Sequence, residues 1–382
     1  MPAQPKLLAR AFSLASTHFS SSVARIGSKL GLVFATLGAI ASVSAQTYVP
    51  NKLEGQFAVS PSGAATYRVP LPLPPGINDH EPKLSLNYNS QGGNGMLGMG
   101  WSLGGLSGIT RCAQTKAQDG DGFVHNITNT WTDRFCLDGQ RLVRVEPTTG
   151  ASINTGAIGP YYVVDNTEYR TELETYTRVQ AFGQYANGPA YFIVQTKSGQ
   201  KMWFGNTADS VTLAADGTTR TSWGVTRIDD VDGNSIMVEY KPDYPNGMTY
   251  PSIISYGGSV VAFGYEARPD VPLFYRAGQA HRTTLRLQTI SVTPQSGGPN
   301  IGTLMYENNG VAGRSLMNQF SLCDPSNQCM MPLKFAWRGT TLGVKNVFYN
   351  DGTFRIPDNY SSPAFGVSMS RFGRFADING DG

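Results

Sequence analysis

The sequence predicts an all-β fold of mostly antiparallel hairpins, and three observations predict it. Apolar and polar residues alternate over short runs, and paired runs are split by turns that admit positive φ. After the first 45 residues, no stretch of a dozen carries a convincing helical period. Gly (44) and Pro (23) are abundant and charged residues make up only 15%, yet Tyr and Phe number 18 each. So many aromatics are available for burial that the composition is not that of a disordered chain.

Taken in order, residues 1–45 read as an export signal. Lys6, Arg10, Arg25 and Lys29 supply positive charge, and no acidic residue precedes Glu54. An apolar run from Leu30 to Val43 closes on Val43-Ser44-Ala45, which places cleavage after Ala45 and predicts secretion by the Sec route. The run is shorter than the ~20 residues of a bilayer span, so no stable membrane anchor is expected. The whole chain has 30 basic and 27 acidic residues. Without the leader's four basic residues the balance is 26 to 27, a net −1. A near-neutral surface with scattered charges has no footprint for nucleic acid.

The main domain is expected over 46–350. The stretch "PLPLPPGINDHEP" (Pro70 to Pro82) reads as an extended edge or connection, since Pro cannot donate to a sheet. "NSQGGNGMLGMGWSLGG" (Asn89 to Gly105) holds G-x-G-x-x-G at Gly93, Gly95 and Gly98 after a strand-like run. A dinucleotide fingerprint needs a helix directly after the glycines, whose N-terminus holds the pyrophosphate. Here more glycines and Trp101 follow, so the block reads as a glycine-rich β-turn with positive φ expected at Gly95 and Gly98. Beyond it, hairpins are predicted to turn at Asp138-Gly139, Ser198-Gly199, Asp232-Gly233-Asn234 and Gly257-Gly258. No repeat of 20–50 residues is visible.

Cys112, Cys136, Cys323 and Cys329 form an even set after the leader, which in an exported chain implies two disulfides. Three pairings are possible, and the local one closes the two shortest loops. A four-Cys zinc site is the rival, but neither pair has knuckle spacing.

Other chemistry has little to use. His80, His125 and His281 stand far apart, and neither a nucleophile elbow nor a Walker lysine motif is present. Glu172 and Glu174 have the E-x-E spacing that ADP-ribosyltransferases use, which on a strand would place both carboxylates on one face. The plainer reading is an exposed strand face beside Arg170 and Arg178. "DDVDGN" (Asp229 to Asn234) could bind calcium weakly, but a hairpin turn explains it. A polar linker is expected over 351–370. Residues 371–382 then end on Asp377, Asn379 and Asp381, alternating oxygen ligands as in a calcium loop that is incomplete at Gly382. No cofactor is expected unless calcium binds at this incomplete loop, for which an Asx-rich turn is the alternative.

Several ordered motifs share one pattern: "SPSGAATYRVPLPLPPG", "PKLSLNYNSQGGNGMLGMGWSLGGLSGITRC", "RFCLDGQRLV", "TEYRTELETYTRV", "WGVTRIDDVDGNSIMVEY" and "AFGYEARPD". Together they resemble the amino-terminal domain family shared by SpvB-type Salmonella virulence proteins and the B components of insecticidal toxin (Tc) complexes. The tail resembles the start of an FG-GAP (VCBS-type) repeat, which builds a β-propeller. The resemblance implies a large β-rich, shell-type domain with a non-enzymatic, structural role in a secreted Tc/Rhs-type toxin. Implied partners are the rest of the toxin polypeptide, with Rhs/YD repeats and a C-terminal toxin, and a translocation component. The resemblance also implies a route to the host cytoplasm for some family members. The competing reading is a surface or adhesion module with a calcium-binding repeat. An ADP-ribosyltransferase is the third, and its catalytic residues find no matching positions here.

Overall fold

The computed structural model describes residues 52–119, 125–146, 149, 165–308 and 313–337. The predicted leader with its Ala45 cleavage site, the 351–370 linker and the Asp377/Asn379/Asp381 tail lie outside them.

The first strands form a small sheet. β1 (Gln56–Val59), β2 (Ala65–Pro70) and β3 (Ser85–Asn89) run antiparallel. β4 (Asn94–Gly95) and β5 (Gly98–Met99) make a two-residue hairpin of their own, and β6 (Trp101–Gly104) returns to pair with β3. Register puts one aromatic from each of the four strands in a single row, Phe57–Tyr67–Tyr88–Trp101. Phe335 and Trp337 cover part of that row. Phe335 lies 4.8 Å from Trp101 and 6.1 Å from Tyr67, Trp337 lies 5.7 Å from Tyr88, and the Trp337 Nε1–H donates to the Met317 carbonyl. The row fastens the small sheet to the far end of the large one.

The large sheet has 16 strands. It begins as a barrel of β7 (Gly108–Cys112), β8 (Arg134–Leu137), β9 (Gln140–Val145), β10 (Glu168–Thr171), β11 (Arg178–Tyr185), β12 (Gly188–Gln195) and β13 (Lys201–Phe204). After β14 (Val211–Leu213), the ten-residue β15 (Arg220–Asp229) closes it. Gly108–Thr110 of β7 pair with Ser222–Gly224 on one edge of β15, and Lys201–Phe204 of β13 pair with its other edge. Eight strands are thereby closed into a ring, which removes the exposed edges an open sheet would carry.

The same β15 starts an open arm, because Arg227–Asp229 also pair with β16 (Ser235–Asp243). The arm continues through β17 (Met248–Tyr256) and β18 (Ser259–Ala267), passes a separate ribbon of β19 (Leu273–Arg276) and β20 (Gln279–Arg282), and resumes with β21 (Leu285–Thr293). It ends with β22 (Asn300–Asn308), β23 (Ser315–Cys323) and the short β24 (Leu333–Lys334).

Turn chemistry accounts for the hairpins. Asp138-Gly139 (φ 49 and 82) and Gly257-Gly258 (φ 50 and 78) carry the double positive φ of the tight turn that matches strand twist. The other two predicted hairpins turn at Gly199 and Gly233, both at positive φ.

The arm also holds a structural repeat that periodicity in the sequence did not show. In β16, β18 and β22 the register slips by a bulge, at Glu239/Tyr240, Gly264/Tyr265 and Met305/Tyr306. Each time the tyrosine hydroxyl donates to a carbonyl of an earlier strand: Tyr240 to Val225 (2.7 Å), Tyr265 to Pro251 (2.7 Å) and Tyr306 to Leu287 (2.5 Å). A bulge bends a strand and increases its twist, so three in sequence curve the arm. Burial drives the phenols of Tyr240, Tyr265 and Tyr306 far above their ordinary range, which keeps them protonated donors at neutral pH.

Candidate functional site

The glycine block is held from outside by a charged clamp. The Arg268 guanidinium, fully buried, donates to the Gly95 carbonyl (2.7 Å), Asn94 Oδ1 (2.6 Å) and both oxygens of Asp270 (3.0 and 3.1 Å). Asp270 in turn accepts from Asn94 Nδ2 (3.0 Å) and from the backbone N–H and hydroxyl of Ser315 on β23. Burial opposes ionisation of Asp270, but the hydrogen bonds from Arg268, Ser315 and Asn94 outweigh it and hold the carboxyl far below its usual range. A carbonyl bound to arginine and a strand after the glycines, where a helix would be needed, are the opposite of a phosphate cradle.

Backbone geometry separates the glycines. Gly98 has φ 83, and a Cβ there would stand 2.5 Å from the Ser315 carbonyl oxygen; at Gly100 (φ 75) it would meet the Tyr88 ring at 2.5 Å. Gly95, expected at positive φ, is not among the positive-φ residues, and its Cβ would make ordinary contact at 3.6 Å. Of this paired couple only Gly98 carries the positive φ, so only one of the two predicted positions requires glycine for its conformation.

The barrel interior is packed with side chains. Phe135 meets Phe192, Trp223 and Tyr169 edge to face at centroid distances of 5.2, 5.5 and 6.2 Å, contacts worth roughly 0.5–1.5 kcal/mol each beyond burial. Arg111 lies among them, 5.9 Å from the Phe135 ring and 5.8 Å from Trp223. Its donors reach the carbonyls of Arg220 (2.7 Å), Thr130 (2.8 Å) and Asn187 (3.1 Å) and the Asp133 carboxylate (3.2 Å). Burial pulls the guanidinium pKa down and Asp133 opposes it; arginine stays charged throughout. No sequence signal marked this inward arginine, because in "GITRC" it shares a strand face with Ile109 and breaks the apolar–polar alternation.

The four cysteines form the local pairs Cys112–Cys136 and Cys323–Cys329, and none is free, which removes the zinc reading. The first bridge is diagonal, since Cys112 stands opposite Arg134 and Cys136 opposite Thr110. It floors an open groove of about 410 Å³ walled by Arg141, Gln118, Glu172 and Leu173.

The E-x-E pair is not on a strand. β10 stops at Thr171, and Glu172 and Glu174 stand exposed in the bend before β11, where Glu174 accepts the Tyr176 backbone N–H. The strand-face expectation fails because Tyr176 adopts φ 57 and the chain turns there. Buried Glu168, three residues before β10 ends, is the carboxylate paired with Arg170 and Arg178.

The remaining candidates are absorbed locally. In "DDVDGN", Asp230 accepts backbone N–H groups of Asp232 and Asn234, and Asp229 is held by Arg227 and Ser235. His80 contacts the Ile228 carbonyl and His281 the Gly247 carbonyl. Among the described residues, no three His, Cys, Asp or Glu side chains are arranged to hold a metal ion. Among those residues, too, no helix is long and apolar enough to cross a membrane.

A family model described as Salmonella virulence plasmid 65kDa B protein matches residues 59–255. Two curated proteins, both named mono(ADP-ribosyl)transferase SpvB, are similar to the chain. One is from Salmonella typhimurium (strain 14028s / SGSC 2262) and one from Salmonella dublin, each 28% identical over 156 residues. The match covers 39% of this chain and 24% of each relative, so the chain spans about a quarter of their length. Among solved structures, TcdB2-TccC3 is similar with a TM-score of 0.58 at 17% identity, covering 75% of this chain and 17% of that one. The N-terminal domain of effector protein SpvB from Salmonella typhimurium strain LT2 is similar with a TM-score of 0.51 at 18% identity, covering 70% and 98%. Both likenesses are of fold.

Proposed function

The chain belongs to the family of the Salmonella virulence plasmid 65kDa B protein, and from that membership we propose a non-enzymatic structural role in a secreted Tc/Rhs-type toxin or virulence factor. In this reading residues 52–337 form part of a wall that encloses or carries a toxic C-terminal domain, and the chain's partners are the rest of that polypeptide and a translocation component. One observation carries it. Buried polar side chains are engaged in holding the fold together: Arg111 in the barrel, Arg268 and Asp270 between the glycine block and β23, and three tyrosines at the bulges of the large sheet. The fold shared with TcdB2-TccC3 supports the same reading.

The test is label transfer from NAD. Purified chain incubated with labelled NAD and cell extract is expected to modify nothing and release no nicotinamide. Transfer that disappears in a Glu172→Gln, Glu174→Gln double variant would sink the structural role. Export by the 1–45 signal and calcium at Asp377, Asn379 and Asp381 remain proposals; calcium titration with an Asp377→Ala control checks the second, and a shared response would reduce the motif to a turn.

A further inference from the structure

The small sheet has an edge that nothing in the described chain covers. β1 reads Gln-Phe-Ala-Val, and all four residues are exposed. It pairs with β2 on one side only. The Ser60 backbone N–H donates to the Ala64 carbonyl, and Ala65 directs its own N–H and carbonyl toward Ser90 on the β3 side. By the alternation of an antiparallel ladder, Gln56 and Ala58 face β2, while Phe57 and Val59 direct their N–H and C=O groups outward. Exposed edges are usually blunted by lysine, proline or a bulge, and β1 has none of these.

A second observation points the same way. The aromatic row of the small sheet is graded: Trp101 is 3% exposed, Tyr88 and Tyr67 are half-buried, and Phe57 is 69% exposed. Phe335 and Trp337 cover the inner three rings and stop short of the fourth. Val59, on the same face, is 64% exposed. The apolar surface and the hydrogen-bonding edge therefore run out together at one strand.

We propose that β1 pairs with β1 of a second copy of this chain, antiparallel across a two-fold axis through Phe57. The strand is self-complementary in this register. Phe57 faces its own counterpart as a hydrogen-bonded pair, which uses the two outward backbone groups, and Gln56 faces Ala58 of the other copy. No charge lies within Gln56–Val59, and Glu54 falls opposite a serine, so like charges do not oppose each other. The pairing joins two four-stranded sheets into one of eight and makes the aromatic row continuous. It is an isologous contact, closed by one axis, and does not propagate into a fibre. So short a strand buries less than the ~1,200 Å² of a standard interface, so the dimer is weak and concentration-dependent. The inference is independent of the structural role proposed above.

Crosslinking through an introduced cysteine tests it on the full chain. A hydrogen-bonded antiparallel pair holds its Cα atoms about 5.5 Å apart, within disulfide reach. Phe57→Cys should give a disulfide-linked dimer under mild oxidation, whereas Ala58→Cys, offset from its counterpart, should not. Light scattering across a concentration series should show the unmodified chain shifting toward dimer mass as concentration rises. Val59→Pro should remain monomeric with an unchanged Tm, because the N–H it loses faces away from β2. A monomer at every concentration, or equal crosslinking from both cysteine variants, would overturn the proposal.

Discussion

The barrel and the arm are made from the same kind of hairpin, yet they end their sheets differently. The barrel closes, with β13 and β7 meeting on β15, and its interior is held by aromatic rings around one buried arginine. The arm stays open, is curved by three bulge tyrosines, and finishes against the small sheet through Phe335 and Trp337. Closure satisfies edges through backbone pairing alone, whereas an open sheet needs side chains to set its curvature and cover its end. The polar groups of the arm are accordingly distributed along it, while those of the barrel interior converge on Arg111.

That contrast sets the order of expected effects. Arg111→Met should be the most damaging, since it takes the ion-pair partner from buried Asp133, which keeps only its bonds from Thr128, and a donor from three carbonyls in the barrel. A loss of about 3–5 kcal/mol is expected in urea unfolding, and a smaller loss than any arm variant would contradict the convergence on Arg111. Gly98→Ala should cost about 3 kcal/mol, because it combines positive φ with a 2.5 Å approach to a backbone oxygen; Gly95→Ala should stay within about 0.5 kcal/mol. Equal losses for the two would mean that glycine density, and not geometry, matters in the block.

Asp270→Asn should lower stability by about 2–3 kcal/mol at neutral pH. The folded carboxyl is depressed relative to the unfolded value near 4, so its stabilisation is complete above that value and lost as pH falls through the lower, folded one. Unfolding curves of wild type and variant should therefore converge as the medium is acidified below about pH 4, and parallel curves would remove Asp270 from the clamp. Tyr265→Phe is expected to be mildest, at about 1–2 kcal/mol, by freeing the Pro251 carbonyl at one bulge. Tyr240→Phe and Tyr306→Phe should match it if the three are one device.

Much of this was legible from turn chemistry. Asp138-Gly139 and Gly257-Gly258 announce their hairpins because only a few residue types accept two positive φ values in succession. Closure was not legible, since the β13–β15 pairing depends on the path of two strands that no local pattern records. Arg111 was hidden because an inward charge breaks the binary pattern and is compensated by carbonyls from distant loops. The Glu172/Glu174 pair misleads because E-x-E spacing suits a strand face, whereas β10 ends at Thr171 and the chain bends there. The clamp lay in plain view as "EARPD", but only the fold brings Arg268 and Asp270 to Asn94 and Ser315.

β15 has a mechanical consequence. Its first half is laced to the ring and its second half to both ring and arm, with no hinge between them. A load on the arm therefore passes into the ring as shear along one continuous strand, and the two parts have no joint about which to swing. Stretched or melted, they should yield in a single event, as a spar and the tube it grows from would.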